Sequence, residues 1–427
     1  MDIERINYDK AGEVLYKYEH PTGLKAFVIP RKGYSKKFAT FAANYGSTDN
    51  EFYIPGEENA TRVPDGIAHF LEHKLFEQKD GSVMDKFTAL GSNPNAYTNF
   101  NQTVYLFSCT DRFEDNFSLL LDYVQNPYIT QESVEKEKGI IGQEIRMYED
   151  NPGWRVFFNL LGAFYHNHPV RIDIAGSLDS IARIDRDTLY KCYNTFYHPS
   201  NMMILVVGDV EPEGVFERTE SAIAHKDARP PVKRIYPDEP ATVRKDYVEQ
   251  QLAVSIPIFH MGFKDEAFSG RTSELLMYET AVKLLLELLI GKSSELYEQL
   301  YSDGLLNSSF ESDFIIEKGY SFSVMGGESP DPVQVRERFC QMLEKVRKNG
   351  LDKAGCSRLL RSMQGRFMRQ FNSVERISQS FISVYFKGVS MFDYLDVYDK
   401  ISFGYINEVF HNHFKQEKLA MSVIKPV

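Results

Sequence analysis

Ile184-Asp185-Arg186-Asp187-Thr188-Leu189-Tyr190-Lys191-Cys192-Tyr193-Asn194-Thr195-Phe196-Tyr197-His198-Pro199-Ser200-Asn201-Met202-Met203-Ile204-Leu205-Val206-Val207-Gly208-Asp209 reads as an amphipathic helix, a polar turn and a buried strand stopped by glycine. The end of the chain, Ile401 to Pro426, overlays on it without a gap. Leu189 meets Ile406, Tyr193 meets Phe410, Tyr197 meets Phe414, Ile204 meets Met421 and Val206 meets Val423. The same pattern closing both halves points to a duplicated domain. The chain has 427 residues, which is more than one hydrophobic core usually supports.

Working outward from 184 to 209, the first half opens with strand-like segments at 23–30 and 37–45 and a β-branched, aromatic strand at 103–109. Helical patterns cover 66–77, 113–125, 130–149, 154–164 and 185–196. A polar, proline-rich stretch at 226–241 reads as a linker. Beyond it the pattern restarts with a strand at 250–257, a long apolar helix at 273–289, a strand at 320–325 and helices over 332–348, 352–371 and 373–387. The expected fold class is therefore α+β: two duplicated domains, 1–225 and 242–427, each a mainly antiparallel sheet covered by helices.

Composition narrows the function. Apolar residues make up 43% and charged residues 26%, and 49 basic against 60 acidic residues give a net charge of −11. An acidic chain without a basic run is a poor nucleic-acid binder, because that binding rests on Lys and Arg neutralising phosphates. No apolar run approaches the roughly 20 residues that span a bilayer. The first residues have no apolar signal region. No membrane association and a cytoplasmic location are the resulting expectations. Cys109, Cys192, Cys340 and Cys356 are scattered, which predicts free thiols rather than a disulfide framework or a cysteine metal site.

The chemistry sits in Gly66-Ile67-Ala68-His69-Phe70-Leu71-Glu72-His73-Lys74-Leu75-Phe76, which contains H-x-x-E-H. On a helix, residues three and four apart share a face, so His69, Glu72 and His73 project together. Two imidazoles one turn apart are spaced to hold one Zn²⁺, and the carboxylate beside them can reach a water there. A catalytic zinc needs a third protein ligand. The helix over 130–149 offers Glu137 and Glu144, seven residues apart and on one face to within about 20°. Trp154, after Asn151-Pro152-Gly153, is expected to pin a helix start. His166, His168, His411 and His413 are expected to be structural or solvated rather than ligands.

His69-Phe70-Leu71-Glu72-His73 followed by Glu144 resembles the zinc site of the pitrilysin or insulinase family of metallopeptidases, the inverted H-x-x-E-H class. The resemblance extends to Asn95-Ala96-Tyr97-Thr98 with Thr103-Val104-Tyr105, to Phe196 through Met202, and to Val206-Val207-Gly208-Asp209. The length is similar to single subunits of the two-domain class, such as those of mitochondrial processing peptidase. The resemblance implies one Zn²⁺ per chain held by His69, His73 and Glu144, with Glu72 as general base and acid and Glu137 as a supporting carboxylate. Asn95, Ala96, Tyr97 and Thr98 would line the strand beside which an extended peptide substrate lies.

It also implies subunits that pair around a chamber, and active relatives carry an Arg and a Tyr seven apart in the second domain. Tyr301 stands about where that Arg should be, and Asn307 or Ser308 where the Tyr should be. The expected partner is therefore a zinc-less paralogue supplying Arg and Tyr in a heterodimer, with a homodimer as the alternative. The alternatives to a peptidase are a silent scaffold subunit and a peptide-binding module.

Overall fold

The structure is a computed structural model that describes residues 1–427 apart from 267, 269 and 271. The chain forms two compact units. Unit 1 comprises Met1–Ile145, Asp173–Tyr236 and Gln370–Phe386, and unit 2 comprises Arg146–Ile172, Pro237–Arg369 and Lys387–Val427.

The strands of unit 1 are β1 (Ile3–Tyr8), β2 (Glu13–Glu19), β3 (Lys25–Pro30), β4 (Lys37–Ala43), the short β5 (Glu51–Tyr53), β6 (Ala60–Arg62), β7 (Glu77–Gln78) and β8 (Gly81–Ser82), then β9 (Asn93–Thr98), β10 (Thr103–Cys109), β11 (Met202–Gly208) and β12 (Lys233–Arg234). Unit 2 has β13 (Tyr247–Leu252), β14 (Ile258–Asp265), β15 (Glu311–Ile316), β16 (Ser321–Glu328) and β17 (Leu419–Pro426). The helices are α1 (Ile67–Leu75), α2 (Val83–Ala89), α3 (Phe113–Gln125), α4 (Gln131–Glu149), α5 (Pro152–Phe164), α6 (Leu178–Ile181), α7 (Arg186–Phe196), α8 (Pro212–Ala222), α9 (Thr272–Ile290), α10 (Glu295–Ser302), α11 (Pro332–Asn349), α12 (Lys353–Gln370), α13 (Val374–Tyr385), α14 (Asp393–Lys400) and α15 (Phe403–His413).

The duplication is visible in the strand order. The main sheet of unit 1 runs β1-β2-β3-β11-β4-β10-β9 and that of unit 2 runs β13-β17-β14-β16-β15. Within both, one pair is parallel, β3 with β11 and β13 with β17, and every other pair is antiparallel. The five strands β3-β11-β4-β10-β9 thus repeat in order and sense as β13-β17-β14-β16-β15. The overlaid segments are α7 with β11 and α15 with β17. β11 is buried at every residue, as an apolar run inside a sheet covered on both faces must be.

The contiguous division into 1–225 and 242–427 needs correcting. The change of unit falls between Tyr236 and Pro237, inside the expected linker, but each half of the sequence also lends a helix to the other unit. α5 packs on β13, β14 and β17, with Asn159 Nδ2 donating to Gln250 Oε1 at 2.8 Å and Tyr165 Oη donating to the Ser321 carbonyl at 3.0 Å. α13 packs on β4 and β11, and Phe381 meets Phe27 with ring centroids 5.0 Å apart. Both helices carry an apolar face, and periodicity reports that a face is buried without saying against which sheet.

The linker is tied down on both sides of its midpoint. Arg234 reaches Asp49 at 2.8 Å, and Tyr236 donates to the same carboxylate at 2.7 Å. Glu239 accepts from the backbone N–H groups of His166, Asn167 and His168 and from Lys264. Burial opposes its charge, yet these donors hold its carboxyl down at about 2. His166 and His168 thus belong to a structural loop.

Candidate metal centre

Gly66 starts α1 with φ 89°. A Cβ there would lie 2.4 Å from the Ala175 carbonyl oxygen, so the close approach of the 175–176 backbone requires glycine. Ser180 Oγ donates to the Asp65 carbonyl at 2.8 Å and pins the same corner. Ile67, Ala68, Phe70, Leu71 and Leu75 are buried, which locks the helix and directs His69, Glu72 and His73 to one side.

α4 brings Glu144 to them. His69 Nε2 lies 3.7 Å from Glu144 Oε1, and His73 Nε2 lies 3.6 Å from Glu144 Oε2. One ligand atom from each of the three sits within 4.8 Å of the others. Ligands at about 2.1 Å from a tetrahedral ion stand about 3.4 Å apart. The two His–Glu separations are thus within a few tenths of an ångström of that spacing. Two imidazole nitrogens and one carboxylate are the protein donor set of a catalytic zinc site. Among the described residues this is the one such group of His, Cys, Asp and Glu.

The electrostatics agree with a site built for a cation. His69 is pushed down to about 4 by burial and by the neighbouring His73, so it is neutral and its ring nitrogen is free to ligate. For His73, burial opposes the charge, but its bond to Glu137 and the nearby Glu72 and Glu144 raise it overall. His73 Nδ1 is 3.1 Å from Glu137 Oε1, which leaves Nε2 facing Glu144. Glu137 is held low, against its burial, by His73 and Lys74. Burial raises Glu72, and the hydrogen bond from Thr98 opposes the rise. Thr98 Oγ1 donates to Glu72 Oε2 at 2.6 Å.

The remaining sequence candidates fall where β9 runs. It is the terminal strand of its sheet, so one side of Asn93–Thr98 carries no ladder partner among the described residues. Asn95 is exposed and Ala96, Tyr97 and Thr98 are half-buried. One residue went unnoticed in the sequence. Lys74 is completely buried, contacts Glu77, donates to the Ser133 carbonyl at 3.3 Å and lies 3.7 Å from Glu137 Oε2. A lysine inside the apolar run after H-x-x-E-H was the available signal, since a lysine is rarely buried without a carboxylate.

Other candidates are structural. Trp154 stacks on Tyr148 with centroids 4.4 Å apart, and its N–H is capped by Asn151. His413 links Asp265 and Ser323 at 2.8 Å each, an acid–His–Ser chain that is buried throughout and has no opening for a substrate. All four cysteines are free thiols. No helix among the described residues is long and apolar enough to cross a membrane. In unit 2, Tyr301 is 55% exposed, and Asn307 Nδ2 donates to Glu328 at 2.8 Å.

A duplicated α+β chain with an H-x-x-E-H helix completed by a glutamate from a second helix defines a zinc-protease class. The chain belongs to the insulinase family, peptidase family M16. The family model "Insulinase (Peptidase family M16)" matches residues 56–177, and "Peptidase M16 inactive domain" matches 183–363. The chain is 41% identical over 99% of both proteins to an uncharacterized zinc protease, YmfH, of Bacillus subtilis (strain 168). The crystal structure of a protein described as an M16-like peptidase from Alicyclobacillus acidocaldarius superposes with a TM-score of 0.92 at 33% identity, covering 100% of this chain and 99% of that one. A protease from Helicobacter pylori shares the fold, with a TM-score of 0.80 at 20% identity over 96% of this chain and 99% of that one.

Proposed function

We propose that this chain is a zinc-dependent endopeptidase in which His69, His73 and Glu144 hold the ion and Glu72 moves the proton. The observation that carries this is the convergence of three ligand atoms within 4.8 Å beside a buried, hydrogen-bonded Glu72. When bound, a zinc ion supplies Lewis-acid polarisation of the scissile carbonyl and a water of lowered pKa. Glu72, with its carboxyl raised by burial, takes a proton from water and delivers it to the leaving amine. Thr98 fixes the Glu72 carboxylate by donating to it. Glu137 orients His73 through Nδ1. The free edge at Asn95, Ala96, Tyr97 and Thr98 accepts an extended peptide as an added strand.

The Glu72→Gln variant tests the reading. It should bind zinc like the wild type by metal analysis and hydrolyse peptides at least about a hundredfold more slowly, as general acid–base loss implies. Hydrolysis at the wild-type rate by that variant refutes the assignment.

A second reading concerns the partner. The positions of the family's Arg and Tyr hold Tyr301 and Asn307 or Ser308, and Asn307 is engaged locally. A zinc-less paralogue that supplies an Arg and a Tyr would restore electrophilic help on the order of 10²–10³ in rate. The pure chain should then be weakly active and rise sharply when the paralogue is added. Full activity of the chain alone counts against the heterodimer and favours a homodimer.

A further inference from the structure

We propose that one face of α12 is a docking surface for an acidic, extended peptide segment of a partner, a proposal that stands apart from the peptidase function above. α12 carries Arg358, Arg361, Arg366 and Arg369, all exposed. At about 100° per residue, Arg358, Arg361 and Arg369 fall within about 80° of one another, and Arg366 borders them. Arg366 is engaged by Glu287. The other three make no hydrogen bond or ion pair with any described residue. Ser362 and Gly365 lie between them and are exposed, and a Cβ at Gly365 would touch nothing within 4 Å. The strip is therefore low in relief, with guanidinium groups standing along it.

Charge sets its sign against the rest of the molecule. Residues 332–370 hold ten Lys and Arg against three Asp and Glu, a local +7 inside a chain of net −11. The cationic residues of the strip are all arginine, whose planar fork pairs carboxylates with two parallel bonds where lysine offers a point charge. Beside Arg358 opens a cavity of about 520 Å³ in which Leu296, Met342 and Leu359 stand among charged walls of both signs, Arg338 and Lys345 with Glu287, Glu295 and Asp352, so the arginine strip rather than the cavity sets the preference. None of the large exposed apolar side chains among the described residues lies on α12, so nothing there anchors in lipid. The occupant that matches the free arginines and the local charge is an extended peptide segment with several carboxylates.

The topology gives the helix a place. α12 follows β16 and α11 as α4 follows β10 and α3. The duplicate of the helix that carries Glu137 and Glu144 thus carries arginines.

The test uses the full chain with Glu72→Gln, so that a peptide binds without being cut. A labelled Glu-rich peptide with one leucine, and its Gln-substituted counterpart, are titrated by fluorescence anisotropy at about 50 and about 300 mM salt. The acidic peptide should bind on the order of tenfold tighter at low salt, an advantage that shrinks at high salt, as expected for several exposed pairs. R358E/R361E/R369E should abolish the advantage, and R358Q/R361Q/R369Q should reduce it. Equal binding of the two peptides, or an advantage that survives the reversal, overturns the proposal. Phosphatidylglycerol vesicles that bind through these arginines while the peptide does not would also overturn it.

Discussion

The side chains of the candidate site do unequal work, and the difference can be measured one residue at a time. Glu137 touches no proposed ligand position directly, but it fixes the ring of His73 through Nδ1. Partners of this kind typically cost 10–100-fold in metal affinity when removed. Glu137→Gln should therefore weaken zinc by about that factor in a chelator competition, and an unchanged affinity would show that Glu137 is a bystander. Away from the site, Asp265 is held low, against its burial, by His413 and Lys418. A carboxyl depressed in the folded state contributes stability that is present above its unfolded pKa of about 4 and lost as pH falls below it. Asp265→Asn leaves the buried Lys418 with only the carboxylate of Glu266 at 4.0 Å, which should cost up to about 3–5 kcal/mol in urea unfolding at neutral pH. The gap between variant and wild type should narrow in acid; a constant gap would show that the charge on Asp265 is not what matters.

At the scale of elements, the sequence was most readable where one helix contains the whole pattern. H-x-x-E-H needed only the 3.6-residue repeat, and α1 follows it. Glu144 is different, because spacing within α4 left Glu137 and Glu144 on one face and only the resemblance chose between them. The structure brings Glu144 to both His Nε2 atoms and Glu137 to an Nδ1. Strands at sheet margins were harder. β1 mixes exposed with half-buried residues and β2 mixes buried with half-buried ones, so neither has the apolar run that identified β11. The strand expected at 250–257 straddles the gap between β13 and β14, because Ile256 and Pro257 extend an apolar pattern past the turn. The entry to α1 yields its own prediction. At Gly66, alanine meets both a positive φ and a backbone oxygen 2.4 Å from its Cβ. Positive φ alone costs about 1–2 kcal/mol, and the contact adds to it. Gly66→Ala should lower Tm by several degrees and weaken zinc as the helix shifts. A variant with wild-type Tm and affinity would mean that the corner relaxes freely.

At the scale of the molecule, the duplication was legible because it is written twice in one chain, in 184–209 and 401–426. The exchange of α5 and α13 was not, since nothing local distinguishes a helix that covers its own sheet from one that covers its duplicate's. That exchange makes the two units interdependent in a way a simple linker would not. Residues 1–225 alone contain β3, β4 and β11 but lack α13, so Phe27, buried against Phe381, loses its cover. They also contain α5 with no sheet to pack on, leaving Val156, Phe158, Leu160 and Leu161 in water. Each such side chain is worth about 1.5–3 kcal/mol when buried, which is comparable with the whole stability of a domain. Residues 1–225 expressed by themselves should therefore be insoluble or molten, binding a hydrophobic dye and showing no cooperative unfolding. Co-expression with 226–427 should restore a soluble pair that binds zinc and unfolds in one transition. A fragment of 1–225 that unfolds cooperatively with a sharp Tm would show that the lent helices are ornaments on self-sufficient domains rather than parts of each core.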